Sequence, residues 1–342
     1  MIRVAIDAMG GDNAPREVVH GAVLAAREYG ISIQLVGIPN VIEAELARHE
    51  TAGLNISIVG ATEVVAMDEK PSKAILKKKD SSIVKSMRQV AEGLADAVVA
   101  CGSTGAAAVA AQFNIGRLPN VSRSAIACEM PTINPRRCLI VDAGANVDCD
   151  AKMLEQFGLM GSIVYSGLHN VKSPRVGVLN IGAEETNGNE LVQGAYTLLK
   201  ARKDVNFIGF VEGRDYPIGK VDVVVTDGFT GNVSLKTAEG IAKMTTHMLR
   251  QELLSSMRGK VGGMICKPAF AAMKRRVDHD EFGGALLVGL KGVCVIAHGG
   301  SRHTAVKNAI RVACDMVRAD IVAKIKEVFK DEKQKTGTEA AV

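Results

Sequence analysis

The chain has 342 residues, 47% hydrophobic and 23% charged, which is enough to bury a large core and fits a globular protein rather than a disordered or fibrous one. With no Trp, 4% aromatic residues and a net charge of +5, it lacks the stacking surface and the dense basic stripe of a nucleic-acid binder, so nucleic acid is not an expected partner. Seven scattered cysteines with no C-x-x-C pair argue against a disulfide framework and against a zinc knuckle.

Short runs of Val, Ile and Ala, apolar on both faces, predict buried parallel strands at residues 2–8, 31–37, 55–60, 96–101, 138–143, 175–181, 205–211, 221–226 and 293–298. A helix is expected from Pro15 to about Tyr29, stopped by Gly30. Another follows Ser81-Ser82, and a long one runs from near Gly231 to about Met257. The alternation predicts an α/β fold, an open and mostly parallel sheet with helices on both faces. A TIM barrel fits less well, because segments 124–132 and 205–226 place strands back to back without a helix. Residues 1–330 are expected to form this unit, as a single body or as two lobes sharing one cleft. Two regions break the rhythm, a lysine-rich polar connection at 62–82 and a basic, apolar excursion at 257–281. The polar tail, 331–342, is expected to be disordered. No signal peptide precedes the first strand and no apolar run is long enough to span a bilayer, so the expected compartment is the cytosol.

Candidate chemistry gathers where strands end and helices begin. Such junctions occur at Cys101-Gly102-Ser103-Thr104-Gly105, Asp142-Ala143-Gly144-Ala145-Asn146, Asn180-Ile181-Gly182-Ala183-Glu184, Asp227 to Asn232, and His298-Gly299-Gly300-Ser301. Each would present backbone N–H groups at a helix N-terminus, the usual cradle for an anion. A single such turn needs its glycine for geometry alone, but several rich in Asn, Ser, Thr and Asp point to a shared anionic ligand. Walker A, G-x-G-x-x-G, H-E-x-x-H and G-x-S-x-G patterns are all missing, and the histidines show no metal spacing. His298 stands at a strand end beside glycines, as a ligand contact or as a satisfied structural group. Cys101 reads as a nucleophile or, more simply, as a core residue. These features give an anion-binding α/β protein without naming its reaction.

The order and wording of the motifs go further. Ile6-Asp7-Ala8-Met9-Gly10-Gly11-Asp12, Met67-Asp68-Glu69-Lys70-Pro71, Lys78-Lys79-Asp80-Ser81-Ser82, Gly102-Ser103-Thr104-Gly105 and Gly144-Ala145-Asn146-Val147-Asp148 resemble the bacterial phosphate acyltransferase (PlsX) family. So do Phe210 to Asp215, Asp227 to Asn232, and His298-Gly299 with Asn308-Ala309-Ile310, the likeness covering roughly residues 2–328. The resemblance implies transfer of a fatty acyl group from acyl carrier protein to inorganic phosphate, giving acyl phosphate for phospholipid synthesis. It also implies a fold like isocitrate and isopropylmalate dehydrogenases and phosphotransacetylases, a homodimer peripheral to the membrane, and a downstream glycerol-3-phosphate acyltransferase. No metal or other cofactor is expected. One departure is that relatives usually carry lysine where Asn187 stands, which keeps a donor and loses a charge.

On that reading, turn amides at Gly102, Ser103, Thr104 and Gly105 and at Gly144 to Asn146 hold phosphate, with Asp227 and His298 beside them, and Lys78 and Lys79 neutralise phosphate or meet the acidic carrier protein. Asn232 and Asn187 donate to the thioester oxygen as it becomes anionic. Asn232 also reads as a helix N-cap, and the lysines as a solvated loop. The excursion suits a basic amphipathic hairpin on an anionic membrane, through Val261, Met264, Ile265, Lys267, Phe270, Lys274, Arg275 and Arg276, with Gly262-Gly263 turning the chain. The same apolar residues suit a dimer interface. Rival readings are an acyl-CoA phosphotransacylase or a dehydrogenase of the same fold, and a membrane scaffold without catalysis.

Overall fold

A computed structural model describes residues 1–277 and 279–339. Its strands are β1 (Arg3–Asp7), β2 (Ser32–Gly37), β3 (Ile56–Gly60), β4 (Ala97–Ala100), β5 (Ala125–Pro131), β6 (Arg137–Val141), β7 (Arg175–Leu179), β8 (Asn206–Val211), β9 (Val223–Val225), β10 (Ala285–Val288) and β11 (Val293–Ile296). The helices are α1 (Arg16–Tyr29), α2 (Pro39–Leu46), α3 (Pro71–Lys77), α4 (Ser82–Ala91), α5 (Thr104–Asn114), α6 (Ala151–His169) and α7 (Glu190–Ala201). They continue with α8 (Gly228–Leu254), α9 (Met257–Ile265), α10 (Lys267–Val277), α11 (His303–Arg318) and α12 (Ile321–Glu339). Thus α12 continues into the segment assigned to a disordered tail, whose last residues, 340–342, lie outside the described residues.

The strands form one sheet in the order β3-β2-β1-β4-β11-β10-β5-β6-β9-β7-β8. Because side chains alternate along a strand, each strand feeds two cores. Val4 and Ile6 join the helices α1, α6 and α11 on one face, while Ala5 joins α4 and α5 on the other. Burying a Val or Ile side chain in this way contributes about 1.5–3 kcal/mol. Helix ends follow local chemistry. Gly30, at φ +61°, stops α1 and donates its N–H to Ala26 O, and Asp150 caps α6 by accepting from Met153 N at 2.8 Å.

The sheet is mostly parallel, with a reversal that brings the chemistry together. β3, β2, β1, β4 and β11 are parallel, as are β6, β9, β7 and β8, but antiparallel pairings of β10 with β11 and β5, and of β5 with β6, turn the second set against the first. The register then decides where the ends lie. Val295 faces Leu286, Leu286 faces Ala127, and Ala127 faces Val141. The carboxyl end of β6 therefore meets the sheet at nearly the level of the carboxyl end of β11. Loops leaving strands that run in opposite directions open onto the same cleft.

The excursion forms α9 and α10 rather than a hairpin turned at Gly262-Gly263. Those glycines lie inside α9, and Gly263 faces Leu253 across the contact with α8. Breaks fall instead at Ser255-Ser256 and Cys266. Met264 and Ile265 are 70% and 74% exposed, and Val261, Lys267 and Arg275 are also exposed. Phe270 is half-buried. Arg276 is exposed and its guanidinium donates to the carbonyls of Ile133 and Asn134 at 3.0 and 3.3 Å, which ties α10 to the turn between β5 and β6. The Lys274 side chain lies outside the described residues. Among the described residues no helix is long and apolar enough to cross a membrane.

Candidate active site

Loops after β4, β6, β9 and β11 enclose a cleft of about 830 Å³ lined by Thr104, Gly105, Gly144 to Asp148, Asn232, His298 and Ser301. At the start of α5, Ser103 is the N-cap and accepts from Ala106 N at 3.4 Å. The amides of Thr104 and Gly105 make no hydrogen bond among the described residues, so this helix end offers two donors to the cleft. Gly102 and Ser103 set up that turn behind the lining.

The turn after β6 behaves differently from the expected phosphate cradle. The amides of Gly144, Ala145 and Asn146 are taken by the buried Asp142 carboxylate, at 3.1, 3.0 and 2.7 Å, and Ile126 N donates to it at 2.9 Å. The Asn146 side chain also serves this turn, donating to Asp142 and Ser124 O at 2.8 Å. Gly144 and Asn146 thus shape the wall without free amides. Gly144 sits at φ +135°, and a Cβ there would lie 2.9 Å from Asn232 Nδ2. The missing side chain is what lets Asn232 approach.

Asn232 is not the cap of its helix. Asp227 is, its carboxylate accepting from Thr230 N and Thr230 Oγ1 at 2.8 Å. Gly228 N donates to Asn146 O at 2.7 Å and seats the helix on the β6 turn. Asn232, one turn in, is exposed on the cleft, and its amide makes no hydrogen bond among the described residues. After β11, His298 Nδ1 accepts from Gly300 N at 3.1 Å. Ser301 is 6% exposed and its hydroxyl has no partner among the described residues.

The expected lysines stand apart from the cleft. Lys78 Nζ donates to Val64 O and Glu69 Oε1 at 2.8 and 2.5 Å, and so pins the 62–70 loop, while Lys79 is exposed outside the lining. The neighbouring Asp80 accepts from Thr62 and pairs with Lys85, whose hydrogen bond above all holds the Asp80 carboxyl down at about 2. This loop has little apolar surface to bury, so polar anchors fix it instead. Asn187 is also elsewhere. Its side chain donates to Glu184 and its carbonyl accepts from Asn180 and Gln193, on the loop after β7, one strand beyond β9.

Sequence reasoning missed Arg123. It is exposed on the cleft and has no hydrogen bond or ion pair among the described residues. A guanidinium in this state is a forked donor ready for an oxyanion. It occupies a short connection between α5 and β5 where a lone Arg carries no motif. The apolar wall, including Val109, Ile126, Leu235 and Phe282, was likewise invisible as a site. Cysteine chemistry loses support, since Cys101 is buried and its thiol is pushed far up by burial, while burial pushes Cys128, which lines the cleft, up to about 12.

Comparison with known proteins fixes the lineage. Residues 2–324 match the family described as fatty acid synthesis protein. A phosphate acyltransferase of Desulforamulus reducens is 49% identical over 97% of this chain and 99% of its own. The chain belongs to this phosphate acyltransferase family. Solved structures share the fold of these acyltransferases at low identity. A phosphotransacetylase from Streptococcus pyogenes has 14% identity and a TM-score of 0.64, covering 92% of this chain and 94% of its own. A 4-hydroxythreonine-4-phosphate dehydrogenase from Klebsiella pneumoniae has 12% identity and a TM-score of 0.51, covering 92% of this chain and 99% of its own. The dehydrogenase-like sheet without a dinucleotide fingerprint is therefore a property of the fold.

Proposed function

We propose that the cleft transfers a fatty acyl group from acyl carrier protein to inorganic phosphate. Acyl transfer to phosphate is the reaction of the family; the carrier-protein donor is the further step. The observation that carries the reading is the content of one cleft, where an unpaired guanidinium, two unused helix amides and an unpartnered side-chain amide face an apolar wall. Arg123 and the amides of Thr104 and Gly105 hold hydrogen phosphate, and Asn232 donates to the thioester oxygen. A phosphate oxygen forms the new bond to the carbonyl carbon, the carbon–sulfur bond breaks, and the phosphate proton ends on the departing thiol. The products are acyl phosphate and free carrier protein, with no covalent enzyme intermediate. Positioning two reactive partners in one cleft provides much of the acceleration. Arg123 supplies the cleft with a fixed charge although position 187 is Asn.

Arg123→Gln is expected to raise the KM for phosphate about tenfold to a hundredfold, the worth of a charge-assisted contact. Arg123→Lys should recover part of it. Steady-state kinetics with phosphate varied checks this, and an unchanged phosphate KM in both variants removes Arg123 from the site.

The exposed arm of α8, α9 and α10 supports peripheral contact with an anionic membrane, with a second copy of the chain, or with both. Beyond Met264 and Ile265, it exposes Ile241, Met244 and Met248 on α8. Replacing Met264 and Ile265 together by Asp is expected to lower co-sedimentation with anionic liposomes about tenfold or more. Equal sedimentation of the variant contradicts the membrane role.

A further inference from the structure

The cleft adjoins a second cavity, of about 500 Å³, across a layer that includes Glu129, Phe282 and Arg137. Glu129 lines both. Phe282 lines the cleft and is 9% exposed, and the Arg137 guanidinium, which lines the second cavity, lies 4.7 Å from the centre of its ring. The layer sits at a break in the sheet. β10 begins at Ala285, and its pairing with β5 runs from Ala127 back to Ala125. Glu129 projects beyond that pairing, with β6 on one side and no strand on the other among the described residues.

Beside the Phe282 ring the layer is charged. Glu129 is bonded to Arg137 and, at 2.6 Å, to His169 Nε2. Burial alone would push the Glu129 carboxyl up, but the His169 bond and the Arg137 charge outweigh it and hold the carboxyl below its usual range. A hydrocarbon chain pushed past the ring would have to desolvate and break these ion pairs to Glu129, a cost that stopping against the ring avoids.

We propose that Phe282, backed by Arg137 and Glu129, is the end wall of the acyl site and sets the longest chain the enzyme accepts. The proposal rests on the reading of the cleft as an acyl site. Each added methylene buried along Val109, Ile126 and Leu235 contributes until the chain meets the ring, about fourfold in kcat/KM per methylene. Beyond the ring the gain stops.

The test is a profile of kcat/KM over a homologous series of saturated acyl donors, for the intact enzyme, Phe282→Ala, Phe282→Leu and Phe282→Trp. Truncation is expected to move the optimum to longer chains, with the ratio for a donor two carbons above the native optimum rising on the order of tenfold. The Trp variant should move it to shorter chains. Phe282→Leu keeps most of the buried volume and gives the answer should Phe282→Ala unfold. A profile of unchanged shape in the folded variants overturns the end wall while leaving the acyl reading intact. Absence of acyl phosphate from the intact enzyme with every donor overturns both.

Discussion

Asn232→Ala is expected to lower kcat about 10²–10³-fold, with little change in the KM for phosphate. Asp227 caps the helix, and the Asn232 side chain makes no hydrogen bond among the described residues, so the fold gains nothing from its side-chain amide. A side chain held against Gly144 and facing an 830 Å³ cleft is instead available to a ligand. A donor aimed at an oxygen that gains charge in the transition state acts on kcat more than on ground-state binding. Loss of kcat with an unchanged urea midpoint supports the role. A kcat within a few-fold of the parent refutes it.

Asp142→Ala is expected to destabilise the protein by about 4 kcal/mol or more, through four backbone N–H groups and one side-chain amide that lose their acceptor. These donors come from Ile126, Gly144, Ala145 and Asn146, and the carboxylate they share is buried. Asn146 O in turn receives Gly228 N, so the same residue seats the start of α8. Asp142→Asn should fall between the two, since its amide keeps one acceptor oxygen and turns a donor toward donors. Urea denaturation measures both. A loss below about 1 kcal/mol for Asp142→Ala would mean that the turn is held by something else.

The expected strands were legible because buried strands read as short apolar runs bounded by turns, and the expected stop of α1 at Gly30 was legible for the same local reason. β10 was missed. It has four residues, follows the two positive-φ glycines Gly283 and Gly284, and sits beside a longer apolar run that claimed the strand. The reversal of the sheet was also invisible, since an apolar run carries no direction and the turn of the chain depends on which strands pair. This is why the junctions after β4 and β11 and those after β6 and β9 met in one cleft for a reason other than the one expected.

At the level of the site, Asn232, Thr104, Gly105, Gly144, Asn146 and His298, picked out by residue type and position in a turn, line one cleft. They did not reveal how hydrogen bonds would be shared. Asp142 takes the amides expected to bind phosphate, and Lys78 is absorbed by Val64 and Glu69. Asn187 faces Glu184 on the loop beyond β9. Such competition among neighbours is settled by tertiary packing and leaves no mark on a motif. Arg123 shows the converse, a lone residue in a connection that becomes conspicuous only when its charge has no partner.

The most direct measurement combines the purified protein with palmitoyl–acyl carrier protein and phosphate and follows palmitoyl phosphate and free carrier protein. The account predicts that both appear in equal amounts and only when phosphate is present. No palmitoyl phosphate from folded protein would contradict it, and product formed from palmitoyl-CoA but not from the carrier-protein donor would keep the reaction while overturning the proposed donor.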